Sequence, residues 1–142
     1  MDEVKNRFMS EIPANAAPFG TETVLLVDDN EFMRTAVEQM LRRHGYVVLS
    51  AENGEHATDL MAEKGEEVQL LLTDIVMPGM NGKDLYAALS VRFPQLKVLY
   101  MTGYTDEILF DSEEDEGRFA LLEKPFSHQT LTRKIREVLD EA

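Results

Sequence analysis

The chain has 142 residues, 44% of them hydrophobic, which suits one domain burying about two thirds of its unfolded surface around a single core. Its formal net charge of -13 argues against direct nucleic-acid binding, which rests on lysine and arginine neutralising phosphates, and favours basic or metal-bridged partners. The absence of cysteine excludes disulfides, thiolate zinc sites and cysteine nucleophiles, and no apolar run approaches the roughly 20 residues that span a bilayer, so the expectation is a soluble cytoplasmic domain without direct membrane contact.

Residues 1–22, ending IPANAAPFGTE, show little periodicity and read as an N-terminal tail or linker, with the domain proper at 23–140. From Thr23 onward, short apolar runs alternate with helical periods, the pattern of five β-α units around a parallel sheet. The first strand is Thr23 to Val27. Asn30 then caps a helix whose Met33, Ala36, Val37, Met40 and Leu41 recur at helical spacing up to Gly45. The second strand is Tyr46 to Ser50, followed by a helix capped by Asn53, with Ala57, Leu60 and Met61 inward, that stops at Gly65. Leu70 to Thr73 is wholly apolar up to its threonine and predicts a strand buried on both faces.

The next loop, IVMPGMNG, breaks at Pro78, Gly79 and Gly82 before a helix presenting Leu85, Ala88 and Leu89 that ends at Phe93-Pro94. Strand four is Lys97 to Met101. Thr105 can cap a short helix through Ile108 and Phe110, while the acids between Asp111 and Glu116 carry no apolar stripe and read as a solvated loop. Strand five runs from about Phe119 to Leu122, and a last helix, capped by Ser127, buries Leu131, Ile135, Val138 and Leu139.

Asp28-Asp29, Asp74 and Lys124 each follow an apolar run, and in a doubly wound sheet such strand ends converge on one ligand site, where Thr102 also lies. At an effective dielectric near 20, two like charges about 4 Å apart cost roughly 4 kcal/mol, which Lys124 alone cannot offset across three carboxylates. A divalent cation can, and oxygen-only ligands favour Mg2+, with Mn2+ as a substitute, over zinc. With a metal and a lysine on either side, a phosphoryl group could be attacked in line by Asp74 while Thr102 donates to one of its oxygens. Alone, an Asp-Asp pair after a strand is more often a turn or capping device; Asp74 and Lys124 reverse that balance. His44, His56 and His128 read as surface or helix-end residues.

The segments VDDN, LLTDIVMPGMNG, MTGYTDE and LLEKPF, in that order, resemble the receiver domains of bacterial response regulators, most of all those of hybrid sensor histidine kinases, over roughly Thr23 to Asp140. The resemblance implies a flavodoxin-like α/β fold with strand order 2-1-3-4-5 and helices on both faces; receivers are themselves a standard illustration of the switch-point rule, so this order is carried over from the family. It further implies that Asp74 is the phosphoacceptor, that Asp29, Asp74 and the Val76 carbonyl bind Mg2+ with Asp28 acting through water, and that Lys124 and Thr102 bind the phosphoryl group. Lys124-Pro125 would be a cis bond, at about 0.5 to 1 kcal/mol over trans for a proline. Partners would be a histidine kinase or a histidine phosphotransfer domain, with a phosphorylation-dependent dimer as a further option. Met33 is either a docking contact for such a partner or ordinary core.

Two positions depart from the common pattern. Leu121 stands where many receivers carry an aromatic three residues before the lysine, which puts aromatic rotation as a readout in doubt. Val76 and Tyr104 occupy the positions that tune dephosphorylation, and neither is an obvious polar positioner for water; Tyr104 is an active-site gate or a surface aromatic. The alternatives are a binding-only pseudo-receiver, which would lack one of the acids or the lysine, a flavodoxin-like cofactor binder, which would want a phosphate cradle where two acids stand, and an aspartate-dependent phosphatase, which would want a second acid where Val76 stands. The chain is either a stand-alone receiver or part of a larger protein.

Overall fold

Two strands with no solvent face set the architecture. The computed structural model describes residues 19–103 and 120–141, and in it β1 (Thr23–Val27) and β3 (Leu70–Asp74) are almost wholly buried. Such runs fit only the middle of a parallel sheet covered on both sides. Around them lie β2 (Val47–Ala51), β4 (Lys97–Thr102) and β5 (Ala120–Glu123), in the order β2-β1-β3-β4-β5, every neighbouring pair parallel.

The pleat divides the core. Val24, Leu26, Leu70 and Leu72 face α1 (Glu31–Arg43) and α4 (His128–Asp140), packing with Val37, Leu41, Leu131 and Ile135. Leu25, Val27 and Leu71 face α2 (Gly54–Lys64) and α3 (Gly82–Arg92), packing with Ala57, Met61, Leu85 and Leu89. Each helix is started by a side chain: Asn30, Asn53, Asn81 and Ser127 accept from the N–H groups of Met33, His56, Asp84 and Thr130. A cap of this kind contributes about 1 kcal/mol. No helix among the described residues is long and apolar enough to cross a membrane.

Local differences from the sequence expectations have local causes. The second strand begins at Val47, because the Tyr46 N–H still closes the end of α1 on Leu41 O (3.2 Å) and the ladder starts with Val47 N–H on Glu22 O (3.0 Å). Strands β3 and β4 each run one residue further, since Asp74 pairs with Met101 and Thr102 with Glu123. Ala88, expected inward, is exposed: the buried stripe of α3 runs through Gly82, Leu85 and Leu89, with Tyr86 half-buried beside it. Tyr86 donates to Leu96 O (3.0 Å) and meets Tyr100 edge-on, ring centroids 6.5 Å apart. The short helix expected after Thr105, the acidic run and Phe119 lie outside the described residues.

The last residues before β1 rest on the domain. Phe19 packs on the His44 ring, Gly20 N–H donates to His44 O (2.8 Å), and Glu22 pairs with Arg136 at 2.7 Å. His44 itself caps α1, its Nδ1 2.9 Å from Met40 O. At the same end of the sheet, Lys97 Nζ donates to Val138 O and Leu139 O, each at 3.1 Å, and to Glu141 O. These carbonyls form the negative end of the α4 dipole. Lys97→Met keeps the apolar stem and removes the donor; the expected loss is about 1 to 2 kcal/mol in urea unfolding, against no change if the contact is incidental.

Candidate functional site

Asp28 is held at every backbone polar atom. Its N–H continues the sheet to Ala51 O (3.2 Å), and its carbonyl accepts from Arg34 NH1 (2.7 Å). Its carboxylate is half satisfied: Oδ1 accepts from Asn30 N–H (2.9 Å), while Oδ2 is buried with no hydrogen-bond partner. Asp74, the last residue of β3, is also buried, whereas Asp29 is exposed. One carboxylate oxygen from each of Asp28, Asp29 and Asp74 lies within 4.8 Å of the others.

Lys124 enters from the other side. Its N–H donates to Thr102 O (2.7 Å), extending the β4–β5 pairing, and the Lys124–Pro125 bond is cis. Its Nζ lies 2.5 Å from Asp74 Oδ1 and 3.6 Å from Asp28 Oδ2. Burial, together with the hydrogen bond and charge of Asp28, pushes the Asp74 carboxyl up to about 8 against the pull of Lys124. Burial works to lower the Lys124 ammonium, but Asp74 and Asp28 overrule it and hold its pKa above the ordinary value. Lys124 stays charged, while burial and the neighbouring Asp28 make ionising Asp74 costly, and one lysine does not offset the acids around it.

A buried carboxylate oxygen with no hydrogen bond and only a 3.6 Å ion pair, inside a cluster of three acids, fits a hard divalent cation, which takes oxygen ligands and supplies the missing charge. The loop after β3 is folded tightly onto the site. Ile75 N–H donates to Met101 O (3.2 Å) and Gly82 N–H to Ile75 O (2.7 Å). A Cβ on Gly82 would stand 2.2 Å from the Asp74 carbonyl oxygen, so this glycine permits direct backbone approach.

The remaining positions scatter around this centre. Thr102 is half-buried at the end of β4, the Val76 side chain is exposed in the loop, and Met33 is half-buried in the first turn of α1. Leu121 is half-buried beside Ile75 and Tyr100, and its strand partner is the fully buried Tyr100. An aromatic thus sits one strand over from where the common pattern places it. Tyr104 lies outside the described residues. Arg34, Asn81 and the close approach of Gly82 were not anticipated. The signal for Arg34 was its place four residues after the Asn30 cap, over the turn that carries the acids.

A five-stranded parallel sheet in this order, with three acids and a lysine gathered at the carboxyl ends of its strands, is an α/β domain of the receiver class. The family model for the response regulator receiver domain matches residues 24–136, and the chain belongs to that family. It is 34% identical over 122 residues to the sensor kinase CckA of Brucella abortus (strain 2308), covering 86% of this chain and 13% of the kinase. It is 35% identical to the response regulator receiver protein CpdR of the same organism, covering 82% of this chain and 95% of CpdR. The crystal structure of the receiver domain from hybrid histidine kinase CckA superposes with a TM-score of 0.68 at 26% identity, covering 82% of this chain and 98% of that one. The expected similarity to hybrid-kinase receivers therefore holds, though the chain spans only a small part of the kinase itself.

Proposed function

We propose that this receiver, at residues 23–140 behind a linker of residues 1–22, takes a phosphoryl group onto Asp74 from a phosphohistidine on a histidine kinase or phosphotransfer domain. The observation that carries the reading is the buried Asp74 carboxylate held 2.5 Å from Lys124 Nζ beside an Asp28 oxygen that receives no hydrogen bond. In the transfer, an Asp74 oxygen attacks phosphorus, the P–O bond forms as the P–N bond breaks, and the donor imidazole leaves and takes up a proton. The product is an acyl phosphate, and hydrolysis returns the carboxylate and inorganic phosphate.

Asp29, Asp74 and the Val76 carbonyl, with Asp28 through water, would hold Mg2+ or Mn2+. The ion supplies positive charge to the acids and to the phosphoryl oxygens. Lys124 answers the charge on Asp74 and then on the phosphoryl group, and Thr102, tied to Lys124 through its backbone, donates to a third oxygen. The modified site then changes affinity for a partner or for a second copy of the domain. Transfer of label from a phosphohistidine protein to the wild type but not to Asp74→Asn is the expected result; equal labelling of both would overturn the assignment.

With an exposed Val76 side chain that cannot orient water, the phosphoryl group is expected to be long-lived. Val76→Asn should shorten its lifetime several-fold, followed as loss of label from purified protein. Rapid loss in the wild type, unchanged by the substitution, counts against this.

A further inference from the structure

We infer that Arg34 is a positioning residue for the cation-binding acids, acting through the Asp28 backbone. This rests on the metal-binding reading above. Asp28 and Asp29 leave β1 in a turn whose first residue, Asp28, is gripped from three sides. Asp28 N–H is fixed on Ala51 O at the end of β2, Asp28 Oδ1 is fixed by Asn30 N–H, and Arg34 NH1 reaches back from the second turn of α1 to Asp28 O at 2.7 Å. The carbonyl that Arg34 holds belongs to the peptide joining Asp28 to Asp29, so its plane sets where Asp29 starts. Asp29 is exposed and packing does not hold it. Arg34 is therefore the one charged group on α1 that sets the direction of the acid pair without contributing a ligand atom.

Charge alone predicts the opposite of positioning. A guanidinium bonded to Asp28 repels a cation at the same acids, so if Arg34 acted only by its charge, its removal would tighten metal binding. If it holds the ligands in place, its removal loosens binding, and outer partners of this kind typically change metal affinity by about 10-fold or more. The two readings differ in sign.

The test is Mn2+ affinity of the full chain, read by electron paramagnetic resonance of the free ion, in wild type, Arg34→Ala, Arg34→Lys and Asp29→Asn, with urea unfolding of each. The expected result is binding by the wild type, strong loss in Asp29→Asn, about 10-fold weaker binding in Arg34→Ala, and partial recovery in Arg34→Lys, which keeps charge and a single donor. Binding in Arg34→Ala equal to or tighter than wild type overturns the inference. Should Arg34→Ala fail to fold, Arg34→Lys binding as tightly as the wild type, or tighter, overturns it equally. No binding by the wild type, or full binding by Asp29→Asn, overturns the metal site instead, so the two failures are distinguishable.

Discussion

Replacing Asp74 with asparagine is expected to stabilise the metal-free protein, by about 2 to 4 kcal/mol at pH 8. The Asp74 carboxyl is buried beside Asp28, and its pKa stands at about 8 against an ordinary 3.8. A carboxyl whose folded pKa lies above its unfolded value holds its proton more tightly in the folded state, so ionising it costs stability. That cost is absent below about pH 4, grows through neutral pH and is complete above about pH 8. Asparagine removes the cost and leaves Lys124 to Asp28, whose Oδ2 is 3.6 Å away. Urea unfolding in the presence of a chelator should therefore show a gap between variant and wild type that is small at pH 5 and widens towards pH 8. Saturating Mg2+ should narrow it, because a bound ion stabilises the wild-type acids by mass action, about 2.7 kcal/mol at a hundredfold excess over its dissociation constant. A gap that does not change with pH would mean that Asp74 is not the strained acid.

Gly82→Ala is expected to damage both the fold and the site. The added Cβ meets backbone only: the Asp74 carbonyl oxygen at 2.2 Å, with Asp74 C and Ile75 Cα at 3.1 Å. No side chain can swing away, so the strand end or the start of α3 must shift, at about 3 kcal/mol or more. The shifted residue is Asp74, whose distance to Lys124 is short, so divalent-ion binding should weaken together with stability. Gly79→Ala is the control. Its φ of +80 strains an alanine by about 1 to 2 kcal/mol, yet nothing stands within 4 Å of the added Cβ, so ion binding should be kept. Equal ion binding in the two variants would remove Gly82 from the account of the site.

Much of this was legible in the residues, for a physical reason. A strand end followed by an acid is a pattern in one dimension that a parallel sheet turns into a point in space, so Asp28, Asp29, Asp74 and Lys124 could be brought together before any coordinates. Helix starts were equally plain, since Asn30, Asn53 and Ser127 are cap-forming residues ahead of periodic runs. What could not be read was distance between backbones and the routing of long side chains. Gly82 reads as a loop breaker until the Asp74 carbonyl is seen against it, and Arg34 reads as a surface arginine until its guanidinium is found on Asp28 O. Ala88 went the other way because a helix stripe can be drawn through either i+3 or i+4, and only the packing against the sheet chose Leu85 with Leu89. Leu121 depended on its neighbour: the buried aromatic of that region, Tyr100, comes from the adjacent strand.

On the proposed mechanism an Asp74 oxygen accepts the phosphoryl group, and a divalent cation at the neighbouring acids is required. Intact-protein mass spectrometry after incubation with a small phosphodonor tests it directly, comparing wild type with Mg2+, wild type with a chelator, and Asp74→Asn with Mg2+. The predicted result is a single phosphoryl adduct in the first sample and in neither of the others; an adduct that survives the Asp74 substitution, or that forms equally well with the chelator, would contradict it.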